Sequence, residues 1–151
     1  MTTPEKLQAW MELSEAKARY CRYLDSKEWE ALANLMLPEL EMDVSGSAPD
    51  MPVIQGRDKA LAMVRGSIGE ATTAHQVHNL ELSLRGDEAD VIWAMQDRVL
   101  WGPEKPSLVG YGHYHETWVR RDGEWKMAKQ RLTRLHMDFA PPAQPAEKSA
   151  G

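Results

Sequence analysis

The sequence predicts an α+β fold in which three N-terminal helices pack on a strongly curved antiparallel sheet, forming a cone with an internal pocket. Two observations predict it. Apolar residues recur every three or four positions in the first part of the chain, as in amphipathic helices, and alternate over residues 72–137, as in half-buried strands. The length of 151 residues is that of one domain. We expect this domain over residues 1–139 and a disordered tail over 140–151, where no apolar period remains.

Helical signals come first along the chain. Thr3 followed by Pro4 is typical of a helix start, and the helix is predicted to run to about residue 25. One apolar stripe defines its inward face: Leu7, Trp10, Met11, Ser14, Ala18, Cys21 and Asp25. Three further elements are predicted after it: a helix over residues 27–37 ended by Pro38, a short strand near 39–44, and a helix over 58–66.

Four long strands complete the predicted fold. They cover residues 72–85, 89–101, 109–120 and 125–137. The dipeptide Asp122-Gly123 predicts a tight hairpin between the last two strands, because both residues tolerate the positive φ that such turns require.

Charge and composition exclude several classes of protein. With Lys+Arg 18 against Asp+Glu 23, the net charge of −5 argues against nucleic acid as a partner. No apolar run is long enough to cross a membrane, and the N-terminus does not have the pattern of a signal peptide. A single cysteine, Cys21, rules out an internal disulfide and fits a reducing cytoplasm, where we expect the protein to work.

Two carboxylates stand in apolar surroundings. Asp25 ends the inward stripe of the first helix, where it either performs chemistry or caps the next helix. Asp97 is the polar member of an otherwise apolar strand face, so it either does chemistry or pairs with an inward arginine. The six Trp and nine Met suit a cavity wall or an ordinary core. We take Trp93, Met95 and Trp101, which share the face of Asp97, as candidate substrate contacts.

Two histidines begin the first long strand. Strict alternation places His78 in phase with Leu80, Leu82 and Leu84, and so favours His78 as the inward histidine. A bulge between the two histidines would favour His75 instead. The pattern alone leaves both alternatives open.

A third polar set lies on the strand predicted over residues 109–120. Tyr111, His113 and His115 share one face, and Tyr114, Glu116 and Trp118 share the other. The first face suits the polar part of a pocket, so Tyr111 and His115 are candidate substrate contacts.

No cofactor is expected. The H-x-H spacing of the same strand permits a metal, but no further short-spaced ligand pair accompanies it. The chain has neither a G-x-S-x-G elbow nor a phosphate-binding loop. We therefore expect acid–base chemistry by His, Asp and Tyr, without metal or cofactor.

Three segments carry a family resemblance: ARYCRYLDSKEWEALANLM, TTAHQVHN followed by GDEAD, and GYGHYHETWVRRDGEWKMAKQRL. Together they resemble the nuclear transport factor 2-like superfamily, in its SnoaL-like and scytalone dehydratase-like branch. Members of that superfamily include dehydratases, isomerases, dehydrohalogenases, epoxide hydrolases, cyclases and non-catalytic binders. The resemblance therefore implies the fold but not one reaction.

The resemblance implies roles for individual residues. LDSKEW is similar to the segment that carries the catalytic aspartate of scytalone dehydratase, which it places at Asp25. TAH places His75 on the catalytic histidine of that enzyme, and so favours His75 over His78. Tyr20 matches the oxyanion-hole tyrosine of ketosteroid isomerase.

Other positions depart from these relatives. Asp97 and His115 fall near polar pocket positions, but the second catalytic histidine of scytalone dehydratase would fall close to Leu100. Its two pocket tyrosines align with Leu24 and Val44. Scytalone itself is therefore not the expected substrate.

These expectations combine into a cofactor-free lyase of the dehydratase type. Asp25 would orient His75, and His75 would remove a proton. Tyr20 would donate to the developing oxyanion, and Asp97 or His115 would assist the leaving hydroxyl. The substrate would be a small hydrophobic molecule, aromatic or polycyclic. The alternatives are an isomerase, a cyclase or a retro-aldol-type lyase in the same pocket, and a non-catalytic module for an apolar ligand or partner protein. Relatives imply a homo-oligomer, dimer or trimer, through the outer sheet face, with Trp118 as a candidate contact.

Overall fold

A curved six-stranded sheet forms the body of the computed structural model, which describes residues 2–145. Its strands are β1 (Met36–Asp43), β2 (Ile54–Gln55), β3 (Thr72–Arg85), β4 (Glu88–Leu100), β5 (Ser107–Arg121) and β6 (Glu124–Ala140). They lie in the order β2-β1-β6-β5-β4-β3. All neighbours are antiparallel except β1 and β6, which are parallel. The predicted α+β class and the strand hairpins are confirmed, with this one parallel pairing added.

Three helices precede β3: α1 (Pro4–Asp25), α2 (Trp29–Ala33) and α3 (Arg57–Ile68). Thr3 caps α1 as predicted, since its hydroxyl accepts a hydrogen bond from Lys6 N at 3.1 Å. The helix predicted over residues 27–37 is wrong in extent. Met127 N donates to Leu35 O, which draws the chain into the sheet, so Pro38 lies inside β1 and does not end a helix.

The buried face of α1 differs from the predicted stripe. Leu7, Trp10 and Met11 are exposed by 57%, 42% and 69%. The face that packs on the sheet consists of Ala9, Leu13, Ala16, Lys17, Tyr20, Cys21 and Leu24. Small alanines on this face allow close packing, and the lysine within it has a buried carboxylate partner in β5. The predicted stripe is therefore correct only in its last turns.

A bulge in β3 decides between the two histidines. The β3–β4 register shifts between His78 and Glu81, where Asn79 has a φ of 52°. One extra residue reverses which side chains face inward. His75 faces inward before the bulge, the leucines face inward after it, and His78 is exposed. The inward His75 favoured by the resemblance is therefore found before the bulge, and the inward leucines of the alternating pattern are found after it.

The inward face of β5 is opposite to the one predicted. Tyr114, Glu116 and Trp118 are buried, with Trp118 fully so, whereas Tyr111 is 37% exposed. A buried glutamate is unfavourable without a partner, and its partner here is Lys17, which lies 99 residues earlier in the chain. Trp118 is therefore a core residue and not an oligomer contact.

The C-terminal strand is longer than predicted. β6 continues past residue 137 to Ala140, which pairs with Ser107. Beyond the strand, Gln144 N donates to Pro103 O at 2.8 Å. Residues 146–151 of the predicted tail lie outside the described residues. Within residues 2–145, no helix combines the length and the apolar character that crossing a membrane requires.

Candidate active site

A cavity of about 370 Å³ opens between the inner sheet face, the end of α1 and α3. Its lining is mainly apolar and includes Leu24, Met42, Met63, Val99, Trp101 and Leu108. The polar side chains that line it are Tyr20, Ser47, Ser67, His75, Asp97, Tyr114, Gln130 and Arg134. An apolar cavity with a few convergent polar groups is typical of a small-molecule site. Wider grooves of about 630 and 740 Å³ lie elsewhere, but neither contains His75.

Asp25 and His75 form a tight pair at one side of this cavity. Asp25 is the last residue of α1, and His75 lies in the first half of β3. The ring Nδ1 of His75 is 2.7 Å from Asp25 Oδ1, and the backbone N of His75 donates to Asp25 Oδ2 at 2.9 Å. A carboxylate at Nδ1 favours the tautomer that carries its proton there. The Nε2 atom then keeps a free lone pair.

Neighbouring groups hold Asp25 in its ionised form. The Thr73 hydroxyl donates to Asp25 Oδ1 at 2.9 Å and accepts from Lys27 Nζ at 2.8 Å. Burial alone would raise the pKa of Asp25, but the hydrogen bonds from the ring and backbone of His75, the ring charge and the Thr73 hydroxyl together lower that pKa. Burial also lowers the pKa of Lys27. The aspartate is thus an acceptor for His75 and not an acid.

Asp97 forms a buried ion pair with Arg134. The guanidinium grips both carboxylate oxygens, at 2.6 and 2.9 Å, and its Nε donates to Ser47 Oγ at 2.9 Å. Gly110 lies opposite Asp97 in β5, and a Cβ at that position would collide with both members of the pair. A side chain at position 110 would therefore force the ion pair to shift. Of the two predicted roles of Asp97, the structure shows the pairing with an inward arginine.

A second, fully buried polar cluster lies behind the cavity. Lys17 Nζ is 2.6 Å from Glu116 Oε2, and both side chains are completely inaccessible to solvent. Glu116 accepts three more hydrogen bonds, all of 2.9–3.0 Å, from Trp93 Nε1, Trp118 Nε1 and Gln130 Nε2. Such a buried pair is stable only when its remaining polar atoms are satisfied.

The two tyrosines of the cavity pack on this cluster. Lys17 Nζ lies 3.7 Å from the ring centroid of Tyr20 and 3.8 Å from that of Tyr114. The Tyr20 hydroxyl donates to Gln130 Oε1 at 3.3 Å. Burial, opposed in part by that hydrogen bond, raises the pKa of Tyr20, so its phenol is neutral.

The structure brings together some of the sequence-predicted site residues. Tyr20, His75, Asp97 and Trp101 line the cavity, and Asp25 holds His75 from behind.

Four predicted substrate contacts lie outside the cavity. Trp93 donates to the buried Glu116, and the sulfur of Met95 accepts from Arg134 at 3.7 Å. Tyr111 and His115 lie on the outer sheet face, where the His115 ring is 3.1 Å from the Thr133 hydroxyl. His115 therefore cannot assist a leaving group in the cavity. The correction for Tyr111 and His115 follows from the reversed facing of β5.

Several polar residues of the cavity were missed by the sequence reasoning, among them Tyr114, Gln130 and Arg134. Tyr114 and Gln130 lie on strand faces that the alternation did not assign to the pocket. Arg134 lies in β6 and pairs with Gly112, between two register shifts in the β5–β6 pairing. One signal was available for Arg134, since an inward Asp97 needs a cation. Among residues 2–145, no three His, Cys, Asp or Glu side chains converge as metal ligands.

Comparisons with known proteins agree with this architecture. The family model for the SnoaL-like domain matches residues 5–131. The Gibberella zeae protein named "Probable cyclase FGR4" is 28% identical over 136 residues, which cover 82% of this chain and 89% of that protein.

Two solved structures share the fold over nearly their whole length. One, a candidate scytalone dehydratase from Novosphingobium aromaticivorans, is 25% identical, with a TM-score of 0.82 over 98% of this chain and 99% of that one. The other, a hexachlorocyclohexane dehydrochlorinase (LinA) of type 2, is 17% identical, with a TM-score of 0.78 over 96% and 97% of the two chains. The second likeness is one of fold alone.

Proposed function

Because this chain belongs to the SnoaL-like domain family, we propose that it is a cofactor-free lyase that removes a proton from a small hydrophobic molecule. The reaction is a β-elimination, most simply the loss of water. One observation carries the proposal: the His75 ring, fixed by Asp25 at 2.7 Å, lines a largely apolar cavity. A binding module has no need of such a pair.

His75 is the base in this mechanism. Asp25 accepts a hydrogen bond from Nδ1–H. It stabilises the imidazolium that forms when Nε2 takes a proton from a carbon next to a carbonyl group. The electrons of the broken C–H bond first give an enolate, whose negative charge lies on the carbonyl oxygen, and then form the C=C bond as the β C–O bond breaks. The imidazolium then gives its proton to the departing hydroxide, which leaves as water and returns His75 to its starting state.

Tyr20 stabilises the oxyanion that develops on the carbonyl oxygen. Its phenol is neutral and lines the cavity, and its hydrogen bond to Gln130 is long at 3.3 Å. When Tyr20 donates instead to the developing anion, this hydrogen bond stabilises the transition state more than the ground state, as catalysis requires. Both oxygens of Asp97 accept hydrogen bonds from Arg134. Asp97 therefore acts on the substrate only indirectly, through the Arg134 side chain that it holds.

The substrate class follows from the lining. Trp101, Met63 and Leu108 offer flat and flexible apolar surface, which suits an aromatic or polycyclic skeleton. A bicyclic β-hydroxy ketone fits this description. The dehydratase named in one structural relative agrees with the elimination.

A cyclase is the second candidate. The curated relative at 28% identity is named a cyclase, and ring closure by carbon–carbon bond formation also begins with removal of a proton next to a carbonyl. The two reactions share His75 and differ in the step after proton removal. Product analysis separates them, because an elimination releases water and a cyclisation by simple addition does not.

Turnover of 3-hydroxy-1-tetralone tests the proposal. Loss of water from this bicyclic β-hydroxy ketone gives an enone that tautomerises to 1-naphthol, which is fluorescent. We expect wild-type protein to accelerate naphthol formation and the matched variant His75→Gln to lower that rate by about 10²–10⁴. Equal rates for the two proteins would contradict the assignment of the base.

We also propose that copies of the chain associate through the outer sheet face. Tyr111 is 37% exposed on that face, and a groove of about 630 Å³ on it contains His115. Light scattering coupled to gel filtration measures the mass directly. A mass equal to one chain at micromolar concentration would contradict this part of the proposal.

A further inference from the structure

The hydroxyl of Tyr114 is the unusual polar group of the cavity. The residue is only 4% exposed, and it lines the cavity. Its hydroxyl has no hydrogen-bond partner among the described residues, whereas every fully occluded side-chain N or O atom of residues 2–145 has one. The Tyr114 hydroxyl is therefore not fully occluded, and it reaches the open space of the cavity.

The surroundings of Tyr114 fix its ring and keep it neutral. Lys17 Nζ lies 3.8 Å from its ring centroid, and the Tyr20 ring meets it edge-on at 6.3 Å with an interplanar angle of 75°. Burial, with the neighbouring carboxylates of Asp97 and Glu116 adding to it, raises the pKa of Tyr114 well above its usual value. A neutral phenol held in one orientation is a pre-organised donor.

We propose that Tyr114 binds an acceptor oxygen of the substrate at the end of the cavity remote from His75. His75 pairs with Asp97, and Tyr114 pairs with Trp93, which lies four residues before Asp97 in β4. At a strand rise of about 3.3 Å per residue, the two positions are separated by roughly 13 Å along the sheet.

This separation defines a substrate class. The molecule carries an acceptor oxygen, such as a carbonyl or ether oxygen, on the far side of its skeleton from the C–H group that His75 attacks. The inference deepens the proposed function, since it takes the same cavity as the substrate site.

Tyr20 provides a matched control. Both phenols lie beside Lys17 and both are 4% exposed. The hydroxyl of Tyr20 is already donated to Gln130, so its removal takes nothing from a ground-state ligand. The two Tyr→Phe variants therefore remove the same atom from equivalent surroundings and differ in whether that atom is available.

Binding of two probe ligands tests the assignment. Tetralin and 1-tetralone have the same bicyclic skeleton, and only 1-tetralone has an acceptor oxygen. Titration calorimetry is done with wild type, Tyr114→Phe and Tyr20→Phe. We expect wild type to prefer 1-tetralone, Tyr114→Phe to lose that preference by a factor of about 2–13, the value of one hydrogen bond, and Tyr20→Phe to retain it.

Several results would overturn the inference. They are equal affinity of wild type for the two ligands, no binding of either, an equal loss for both in Tyr114→Phe, or a selective loss in Tyr20→Phe. The measurement involves no turnover. If the binding test fails but the turnover test shows activity that depends on His75, only the role of Tyr114 is contradicted. If Tyr114→Phe selectively weakens 1-tetralone but no turnover is found, only the proposed elimination is contradicted.

Discussion

Two polar clusters of this protein use similar groups for different ends. The first joins Asp25, Thr73 and His75 at the cavity, and its His75 side chain is 7% exposed. The second joins Lys17 and Glu116 behind the cavity, and both side chains are 0% exposed. Each contains a carboxyl group that accepts several hydrogen bonds.

The difference lies in which atoms are left unsatisfied. Glu116 accepts from Lys17, Gln130 and two tryptophans, so the buried cluster has no group to offer a ligand. In the first cluster the carboxylate is fully used, but the far side of the His75 ring is free. The proposed site therefore differs from the buried cluster in having a ring nitrogen that is free to act on a ligand, and not in its charge. The buried cluster supports the cavity wall, because Tyr20, Tyr114 and Gln130 contact it and line the cavity.

The largest expected effect is on activity. His75→Gln removes the base and keeps a side chain of similar size, so the rate of naphthol formation should fall by about 10²–10⁴. The free energy of unfolding, measured by urea denaturation, should change much less than the activity. An active His75→Gln protein would remove the distinction between the two clusters.

The next effect is on stability. Lys17→Met leaves the Glu116 charge buried without its cation, and we expect the free energy of unfolding to fall by about 3–5 kcal/mol. The double variant Lys17→Met/Glu116→Gln removes the uncompensated charge and should recover part of this loss. A single variant as stable as wild type would show that Glu116 is not held as a charged scaffold group.

A smaller effect is expected at the ion pair beside the cavity. Gly110→Ala places a methyl group against Asp97 and Arg134, and overpacking of this kind costs about 1–3 kcal/mol of stability. Gly66→Ala, in α3 with open space around the position, is the control. It should stabilise by up to about 1 kcal/mol, because alanine favours a helix. Equal effects of the two substitutions would contradict the packing argument.

The smallest effect concerns the pH dependence of stability. The folded pKa of Asp25 lies below its usual value, so the ionised carboxylate stabilises the fold above the unfolded pKa of about 3.9. That contribution is lost as the pH falls through the folded pKa. The difference in unfolding free energy between wild type and Asp25→Asn should be largest near neutral pH and shrink in acid. A difference that stays constant with pH would contradict the linkage.

The sequence predicts local features of this molecule better than long-range ones. The helix start at Thr3–Pro4, the hairpin at Asp122-Gly123 and the inward face of β4 follow from neighbouring residues, and the structure confirms them.

The errors arise where a distant partner decides. Glu116 faces inward because of Lys17, which alternation within β5 cannot reveal. The choice of His75 depends on one extra residue near Asn79, and apolar pattern fits either histidine there. The pair of Asp25 and His75 follows from a family resemblance, whereas the open hydroxyl of Tyr114 is visible only in three dimensions.

Exchange of a carbon-bound proton tests the central claim most directly. In D₂O, a base in the cavity should exchange the C2 protons of 6-methoxy-1-tetralone for deuterium, and no leaving group is needed. The methoxy oxygen of this probe lies on the far side of the skeleton from C2, where Tyr114 is proposed to bind an acceptor. We predict that wild-type protein accelerates this exchange, as followed by proton NMR, and that His75→Gln abolishes the acceleration. Exchange at the same rate with both proteins would contradict the assignment of His75 as the base.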